Sequence, residues 1–339
     1  MQERYWGKTY MVDEEMLKIQ PLLKAAVEYQ QTVKGFLIPY SYWTDKQGKL
    51  YIKWNMNDRE ADKHVCRYWF DGVGELVNET IPIKLSKQEL LRGKDGNSPV
   101  VLITGDTHRN FNRIKFFCEK YRTTVDDILI ILGDAGINYY LDDKDRFLKK
   151  NLAKLPITFF CVRGNHEERP ENVGTYKEVG WHGGLVYREE EYPNLIFAKD
   201  GEVYDIAGKK TIVIGGAYSV DKWYRLQNNY KWFKDELLSE KELIRIEERL
   251  EEMDWNVDVV LSHTLPYQYR PLDMFMKTGK DLCVNESMEQ WFREVEMILS
   301  YEKWYAGHFH CDRRIDKLQI MFRNVELFCK DMDLNFSME

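Results

Sequence analysis

The chain has 339 residues, of which 44% are hydrophobic and 14% aromatic, while only 21 are glycine and 9 are proline. This composition is typical of a packed globular protein of one or two domains and excludes a low-complexity chain. The 56 acidic side chains outnumber the 49 lysines and arginines, and the net charge of −7 excludes an overall positive field that attracts nucleic acid. Any surface that binds nucleic acid must therefore be local.

The N-terminal residues and the cysteines indicate the compartment. Residues 1–16 are charged from the third position onwards and lack an apolar segment, so we expect no secretory signal. No run of about 18 apolar residues predicts a membrane span. The six cysteines show no Cys-x-x-Cys spacing, which favours reduced thiols. We therefore expect a cytoplasmic protein without a membrane partner.

Residues 1–97 are predicted to form an accessory α+β domain, to which the sequence assigns no role. Apolar segments on either side of TDKQG, within residues 35–54, predict a β-hairpin, and residues 12–29 predict a helix interrupted near Pro21. Four of the ten tryptophans lie in this part: Trp6, Trp43, Trp54 and Trp69. We interpret them as core aromatics of a small domain, with a binding face as the alternative.

Residues 98–339 are predicted to form a second domain, because a segment rich in glycine, proline and polar residues separates them from the first. Beyond this boundary, short apolar segments alternate with amphipathic helices. Strands are predicted at residues 100–104, 127–132, 156–162, 211–216 and 257–262, with another near Trp304. Helices are predicted over residues 111–121 and after Ser239, which forms a capping box with Glu242. This alternation is typical of a layered α/β domain.

Polar side chains suited to metal binding follow five of these strands, in the turns GDTH, GDAG, RGNHE, SHT and GHFH. The candidate ligands are Asp106, His108, Asp134, Asn165, His263, His308 and His310. Because ligands bind beyond the carboxyl ends of strands in layered α/β sheets, we expect these side chains to converge. Imidazole nitrogens mixed with carboxylate and amide oxygens indicate transition metals rather than Mg²⁺ or Ca²⁺. The set is large enough for two ions if one carboxylate bridges them.

Two further patterns support a site in these turns. Five of the seven histidines lie in them, so only His64 and His182 have no assigned role. His182 is interpreted as a residue of a surface loop, with a position in the cleft as the alternative. A glycine precedes the ligands in four turns and predicts a tight turn with close backbone approach, at Gly105, Gly133, Gly164 and Gly307.

The order of the five turns resembles that of the calcineurin-like metallophosphoesterase superfamily, over about residues 98–325. The resemblance implies a four-layer α/β/β/α sandwich whose dinuclear centre hydrolyses phosphoesters with a metal-activated hydroxide. Manganese is the expected metal, with iron, zinc or nickel as alternatives. The resemblance also implies that Asp106, His108 and His310 hold one ion, that Asn165, His263 and His308 hold the other, and that Asp134 bridges them.

Two more residues receive catalytic roles from this resemblance. His166 would face the leaving-group oxygen, as proton donor or charge stabiliser. Arg163 would present its guanidinium to the phosphate, with a surface salt bridge as the alternative. Protein phosphatases of the superfamily carry GDxVDRG, whereas this chain reads GDAGIN, with Ile137 in place of the second aspartate. Either another carboxylate orients His166, with Glu167 and Glu168 nearest in sequence, or its role is weaker.

The predicted function is hydrolysis of a phosphomonoester or phosphodiester in a small molecule such as a nucleotide. The alternatives are a nuclease or a phosphoprotein phosphatase with the same centre, and a non-catalytic metal-binding protein that recruits a partner through residues 1–97.

Long segments at residues 168–200 and 218–234 are expected to select the substrate, because loops beside a cleft commonly do so. Aromatic side chains in the second segment are interpreted either as a surface on which a nucleobase stacks or as side chains that pack within the core or the loop.

Overall fold

The computed structural model describes residues 99–274 and 284–329, and in the N-terminal part five strands that form one antiparallel sheet. These strands are β1 (Tyr10–Met11), β2 (Ile38–Thr44), β3 (Leu50–Asn55), β4 (Val65–Phe70) and β5 (Leu76–Val77). Antiparallel pairing of β2 with β3 confirms the predicted hairpin. The helix predicted at residues 12–29, Trp6 and His64 lie outside the described residues.

The chain divides into two compact units, Met1–Ile83 and Lys84–Met338. The predicted domain boundary near residue 97 falls within residues 78–98, outside the described part of the chain. The division at that residue, and the accessory role of the part before it, therefore stay predictions.

Two sheets form the second unit. The first has seven strands, in the spatial order β18 (Val325–Leu327), β6 (Val101–Thr104), β7 (Ile128–Ile131), β8 (Thr158–Cys161), β11 (Leu195–Ala198), β10 (Gly184–Glu189) and β9 (Tyr176–Trp181). The second has six, in the order β12 (Val203–Ile206), β13 (Lys209–Ile214), β14 (Val259–Ser262), β15 (Lys303–Ala306), β17 (Leu318–Ile320) and β16 (Arg313–Ile315). Strands β6, β7, β8 and β11 run parallel, as do β13, β14, β15 and β17. Parallel strands place their carboxyl ends at one edge of a sheet, where the candidate ligands follow them.

Helices cover the outer face of each sheet. The described helices are α1 (Asn112–Tyr121), α2 (Asp143–Leu152), α3 (Lys222–Gln227), α4 (Glu240–Glu251) and α5 (Ser287–Ile298). Ile246 of α4 and Phe292 of α5 are buried with Trp304 of the second sheet. Phe111, just before α1, meets Phe159 of the first sheet, with ring centroids 5.8 Å apart. A shared core that includes residues of β7, β8, β13 and β14 fills the space between the sheets, so the predicted α/β/β/α sandwich is confirmed.

Several local predictions are also confirmed. The helix predicted over residues 111–121 is α1, and α4 begins at the capping box of Ser239 and Glu242. Cys118, Cys161 and Cys311 are buried free thiols. Among the described helices, none combines the length and the apolar character needed to cross a bilayer, and the cytoplasmic location stays a prediction.

Candidate metal centre

The seven candidate ligands lie together where the strands of the two sheets end. They follow β6 (Asp106, His108), β7 (Asp134), β8 (Asn165), β14 (His263) and β15 (His308, His310). The side chains of Asp134, Asn165 and His263 are buried, whereas His108 and His310 reach solvent. The cluster therefore has a buried floor and one side that is open to a substrate.

Asp106, His108 and His310 form a first group that could hold an ion, with ligand atoms within 4.8 Å of one another. Asp106 Oδ2 lies 3.2 Å from His310 Nε2 and 3.7 Å from His108 Nε2, and those two nitrogens are 2.8 Å apart. The other carboxylate oxygen, Oδ1, accepts a hydrogen bond from the backbone N–H of His308 at 2.9 Å. This bond orients the carboxylate so that Oδ2 faces the two imidazoles.

Asp134 connects this group to the remaining candidate ligands. Its Oδ2 lies 4.0 Å from His108 Nδ1, and its Oδ1 lies 3.6 Å from His263 Nε2. Asp134 belongs to two groups of potential ligands, one with His108 and His166 and one with Asp106 and His263. The backbone N–H of His166 donates to Oδ1 at 2.8 Å and holds the carboxylate in place. A carboxylate between two sets of imidazoles has the position that a bridging ligand requires.

The pair formed by His263 and Asn165 fits a cation. His263 Nδ1 lies 2.7 Å from the carbonyl oxygen of Leu132, which only accepts, so the neutral ring presents a lone pair at Nε2. Asn165 donates its amide N–H to Ser219 Oγ at 2.9 Å, which turns its Oδ1 towards His263 Nε2, 2.8 Å away. Ser219 in turn donates to Glu236 Oε2 at 2.5 Å. Two acceptors this close repel each other unless a proton or a metal ion lies between them, and with the ring neutral a divalent ion meets that need.

Backbone strain is concentrated in the same turns. Left-handed φ angles, which residues other than glycine rarely adopt, occur at His108 (43°), Asp134 (48°), His308 (65°) and His310 (49°). Each such residue costs roughly 1–3 kcal/mol, and this kind of strain is retained chiefly at functional sites. A Cβ at Gly133 would lie 2.0 Å from His263 Nδ1, and one at Gly164 would lie 2.0 Å from Asp134 Oδ1. The close backbone approach predicted from these two glycines is confirmed.

Comparison with known proteins assigns the chain to a family. The sequence profile of the calcineurin-like phosphoesterases matches residues 99–320, which is more than half of the chain. The chain belongs to this family. The resemblance seen in the five turns is thereby confirmed.

Two of the solved structures that match this chain have low similarity to it. Phosphopantetheinyl hydrolase (PptH) from Mycobacterium tuberculosis is 15% identical with a TM-score of 0.35, and the match covers 66% of this chain and 88% of that chain. A second structure is 13% identical with a TM-score of 0.37, and covers 66% of this chain and 89% of that chain. Among curated proteins, no sequence matches the chain.

The protonation states of the candidate ligands suit a divalent ion, which binds ionised carboxylates and neutral imidazoles. Burial opposes ionisation of Asp134, but positive charge beside the carboxyl, on the rings of His263 and His166 when they are protonated, outweighs it and holds the pKa below its usual range. A bound cation would supply this charge with the rings neutral. Burial, helped by the neighbouring His263, lowers the pKa of His308 to about 3. The His308 ring is therefore neutral at neutral pH and available as a ligand.

His166 lies beside the cluster and is held by residues of the α3 region. Arg225 Nη2 donates a hydrogen bond to His166 Nδ1. Arg225 Nε donates to Asp221 Oδ2 at 2.8 Å, which fixes the guanidinium next to the imidazole. No sequence pattern indicated this pairing, because the two partners are 59 residues apart.

The carboxylates of Glu167 and Glu168, considered as partners of His166, are bound elsewhere. Oε2 of the buried Glu167 accepts from the backbone N–H groups of Gly136 and Ile137 at 3.0 and 3.3 Å. Burial, reinforced by the charge of Asp134, raises the pKa of Glu167 to about 8. Oε1 of Glu168 accepts from Asn172 Nδ2 at 2.7 Å. Of the alternatives left open by the sequence, orientation of His166 by Glu167 or Glu168 is not supported, because both carboxylates are bound to other backbone or side-chain donors.

Arg163 is enclosed by protein, with only 2% of its side chain exposed. Its Nε donates to Asp200 Oδ2 at 2.9 Å, and its Nη1 donates to the carbonyl oxygen of Glu236 at 2.9 Å. These contacts match the salt-bridge alternative, in a buried rather than a surface form. The contact of Arg163 with a phosphate stays a prediction that these contacts do not support.

His182 and the aromatic segment were the remaining candidates. His182 lies in the turn between β9 and β10, where Nδ1 donates to the carbonyl oxygen of Asp205 at 2.9 Å, in agreement with a surface loop. Trp223 is 60% exposed. It lies two positions from Arg225, so the two side chains leave α3 in roughly opposite directions. Stacking of a nucleobase on this segment stays a prediction.

Proposed function

We propose that the protein is a dinuclear metal-dependent phosphoesterase that hydrolyses a phosphomonoester or phosphodiester of a small molecule such as a nucleotide. The observation that carries the proposal is the pair of facing acceptors, His263 Nε2 and Asn165 Oδ1, 2.8 Å apart. The position of Asp134 between two groups of candidate ligands supports the count of two ions. Membership of the calcineurin-like phosphoesterases supports the reaction class.

The residues that would hold the ions are those of the five turns. Asp106, His108 and His310 would bind one ion, Asn165, His263 and His308 the other, and Asp134 would bridge them. When bound, two divalent ions activate water at neutral pH and neutralise the phosphate oxygens. Manganese is the metal we expect, and iron, zinc and nickel share its preference for mixed nitrogen and oxygen donors.

The side chains themselves bind, orient and assist the substrate. The phosphate would approach from the open side of the cluster, at the exposed His108 and His310. The ring of His166 lies near that of His108, with centroids 5.5 Å apart. From this position His166 would stabilise the oxygen of the departing group, where negative charge develops as the ester bond breaks.

The proposal is tested on protein purified without chelator, by mass spectrometry of bound metal and by assays on the same sample. We expect about two Mn, Fe, Zn or Ni ions per chain, together with hydrolysis of p-nitrophenyl phosphate or bis(p-nitrophenyl) phosphate. Preferential degradation of short DNA or RNA, abolished by His166→Ala, would instead favour the nuclease. Absence of both metal and turnover after addition of Mn²⁺ would contradict the proposal.

A further inference from the structure

We propose that Arg225 and Asp221 are positioning residues, which hold His166 so that its Nε2–H donates a hydrogen bond to the leaving-group oxygen. The inference deepens the proposed function and rests on it. Ile137 stands where the GDxVDRG motif of the protein phosphatases has its second aspartate, and its apolar side chain is entirely buried. Glu167 is bound to the backbone, whereas Arg225 of α3 and Asp221 at its N-cap lie beside the His166 ring.

The contact with Arg225 determines which nitrogen of His166 carries the proton. Arg225 Nη2 is hydrogen-bonded to Nδ1 and lies 3.5 Å from Nε2. A guanidinium has only N–H donors and no acceptor, so Nδ1 must accept. In the neutral ring the proton is then on Nε2. Arg225 thus selects the tautomer in which His166 is a donor at its other nitrogen.

Arg225 is itself fixed by three acceptors. Its Nε donates to Asp221 Oδ2 at 2.8 Å, and its Nη1 lies 3.3 Å from the hydroxyl of Tyr139 and 3.2 Å from the carbonyl oxygen of Lys231. Only 14% of the arginine side chain is exposed. A planar guanidinium held in this way loses little further rotamer freedom when it orients a neighbour. Asp221 contributes by holding Arg225, and its Oδ1 lies 3.8 Å from His166 Nε2.

The ring of His166 is close enough to the cluster for this tautomer to affect the reaction. One of its nitrogens lies within 4.8 Å of ligand atoms of His108 and Asp134. With Nδ1 bound to Arg225, Nε2–H is the group left for the substrate. A hydrogen bond to the departing oxygen strengthens as negative charge develops on it. The benefit is therefore largest for poor leaving groups, which carry the most charge when the P–O bond breaks.

Two substrates with different leaving groups test this role. Arg225→Met removes the donors and keeps an aliphatic chain, and Arg249→Met, at an exposed position of α4, is the matched control. We expect Arg225→Met to lower kcat for phenyl phosphate by roughly 10- to 100-fold, the usual effect of losing a supporting partner. The loss for p-nitrophenyl phosphate should be much smaller, with KM and bound metal unchanged. Arg225→Lys, which keeps a donor, should restore part of the activity.

Other outcomes of the same assay would contradict the proposal. Equal losses of kcat on both substrates would indicate general damage to the centre. A rise in KM alone would indicate that Arg225 binds the phosphate directly. A double-mutant cycle adds a further check, because Arg225→Met should have no additional effect in a His166→Ala background. Additive losses would mean that Arg225 does not act through His166.

The tautomer gives a readout that needs no turnover. NMR of protein labelled with ¹⁵N-histidine reports which ring nitrogen carries the proton, and the His166→Ala spectrum assigns the signals. We expect Nε2–H in the unaltered protein and loss of this preference in Arg225→Met. If no phosphoester is hydrolysed but the tautomer responds in this way, the proposed function fails and the positioning by Arg225 stands. A tautomer that is unchanged in Arg225→Met would overturn the positioning.

Discussion

The turns after the strands and the segment of residues 219–236 contribute to the same centre in different ways. The turns supply the candidate ligands, each placed by the end of a strand. The segment supplies none of these ligands but contacts two adjacent residues of one turn. Ser219 accepts a hydrogen bond from Asn165, and Arg225 donates one to His166. The turns thus provide the donor atoms of the centre. Residues 219–236, which we call the supporting segment, orient Asn165 and His166.

The supporting segment, although rich in aromatic residues, helps to orient a candidate metal ligand. Trp232, one of the aromatics that suggested stacking on a base, donates through Nε1 to Glu236 Oε2 at 2.9 Å. Glu236 in turn accepts from Ser219, which holds Asn165. The indole is therefore joined to a chain of hydrogen bonds that ends at a candidate metal ligand. Variants of the two regions should differ accordingly in their effects.

The largest effect is expected from Asp134→Asn, in the turns. The substitution keeps the oxygen that accepts from the His166 N–H but removes the charge shared by both groups of candidate ligands. We expect activity to fall by more than the roughly 10- to 100-fold that accompanies loss of a supporting partner, and bound metal to fall below two ions per chain. Metal quantification and phosphoester assays measure this, with the exposed Asp126→Asn as control. Full activity and metal content in Asp134→Asn would show that the residue is no ligand.

A large effect on stability is expected from Arg163→Met. The substitution leaves Asp200, whose side chain is only 9% exposed, without its cation, and removal of one partner of a buried pair costs about 3–5 kcal/mol of unfolding free energy. Urea denaturation followed by circular dichroism measures the loss. A stable variant with a raised KM would instead support the phosphate contact of Arg163, so the experiment decides between the two roles.

Ser219→Ala tests the supporting segment directly. Loss of the hydroxyl leaves the Asn165 amide free to rotate its oxygen away from His263. We expect Mn²⁺ affinity to fall by about 10- to 100-fold, as for other outer partners of metal ligands. Titration calorimetry of chelator-treated protein measures the affinity, and the exposed Ser300→Ala, at the opposite end of β15 from the GHFH turn, serves as control. Unchanged affinity would show that the amide needs no support.

The smallest effect is expected from Glu242→Gln, which weakens the anchor between Arg169 and α4. Burial opposes ionisation of Glu242, but hydrogen bonds from Ser239 and Arg169 outweigh it and lower its pKa to about 2. Because the carboxyl is partly exposed, we expect a loss of only about 1–2 kcal/mol near neutral pH.

The pH dependence of this anchor follows from the sign of the shift. The low pKa of Glu242 stabilises the fold at pH values above the pKa of this group in the unfolded chain, near 4.5. This contribution is lost as the pH falls towards 2, where the carboxyl is protonated in the folded protein as well. The difference in unfolding free energy between Glu242→Gln and the unaltered protein should therefore shrink over that range. The exposed Glu248→Gln is the matched control. A difference that is constant with pH would exclude the ionised Glu242 as its source.

The layered fold, the family and the set of candidate ligands could all be predicted from the sequence alone. Short apolar strands alternating with amphipathic helices specify buried parallel sheets. Aspartate, asparagine and histidine have short side chains, so the position of a strand end largely decides where their donor atoms lie. For this reason motifs that are local in the chain, such as GDTH and GHFH, sufficed to find residues that meet in space.

The partners of the long charged side chains around the centre became known only from the folded chain. Arg163 pairs with Asp200, Glu167 binds the backbone of Gly136, and Arg225 reaches His166 from another element. Arginine and glutamate have long side chains with many rotamers, and several partners lie within their reach. Burial decides which partner is bound, since an enclosed charge or hydrogen-bond donor needs a partner close to it. Burial arises from the packing of distant segments, and the spacing of residues along the chain does not encode it.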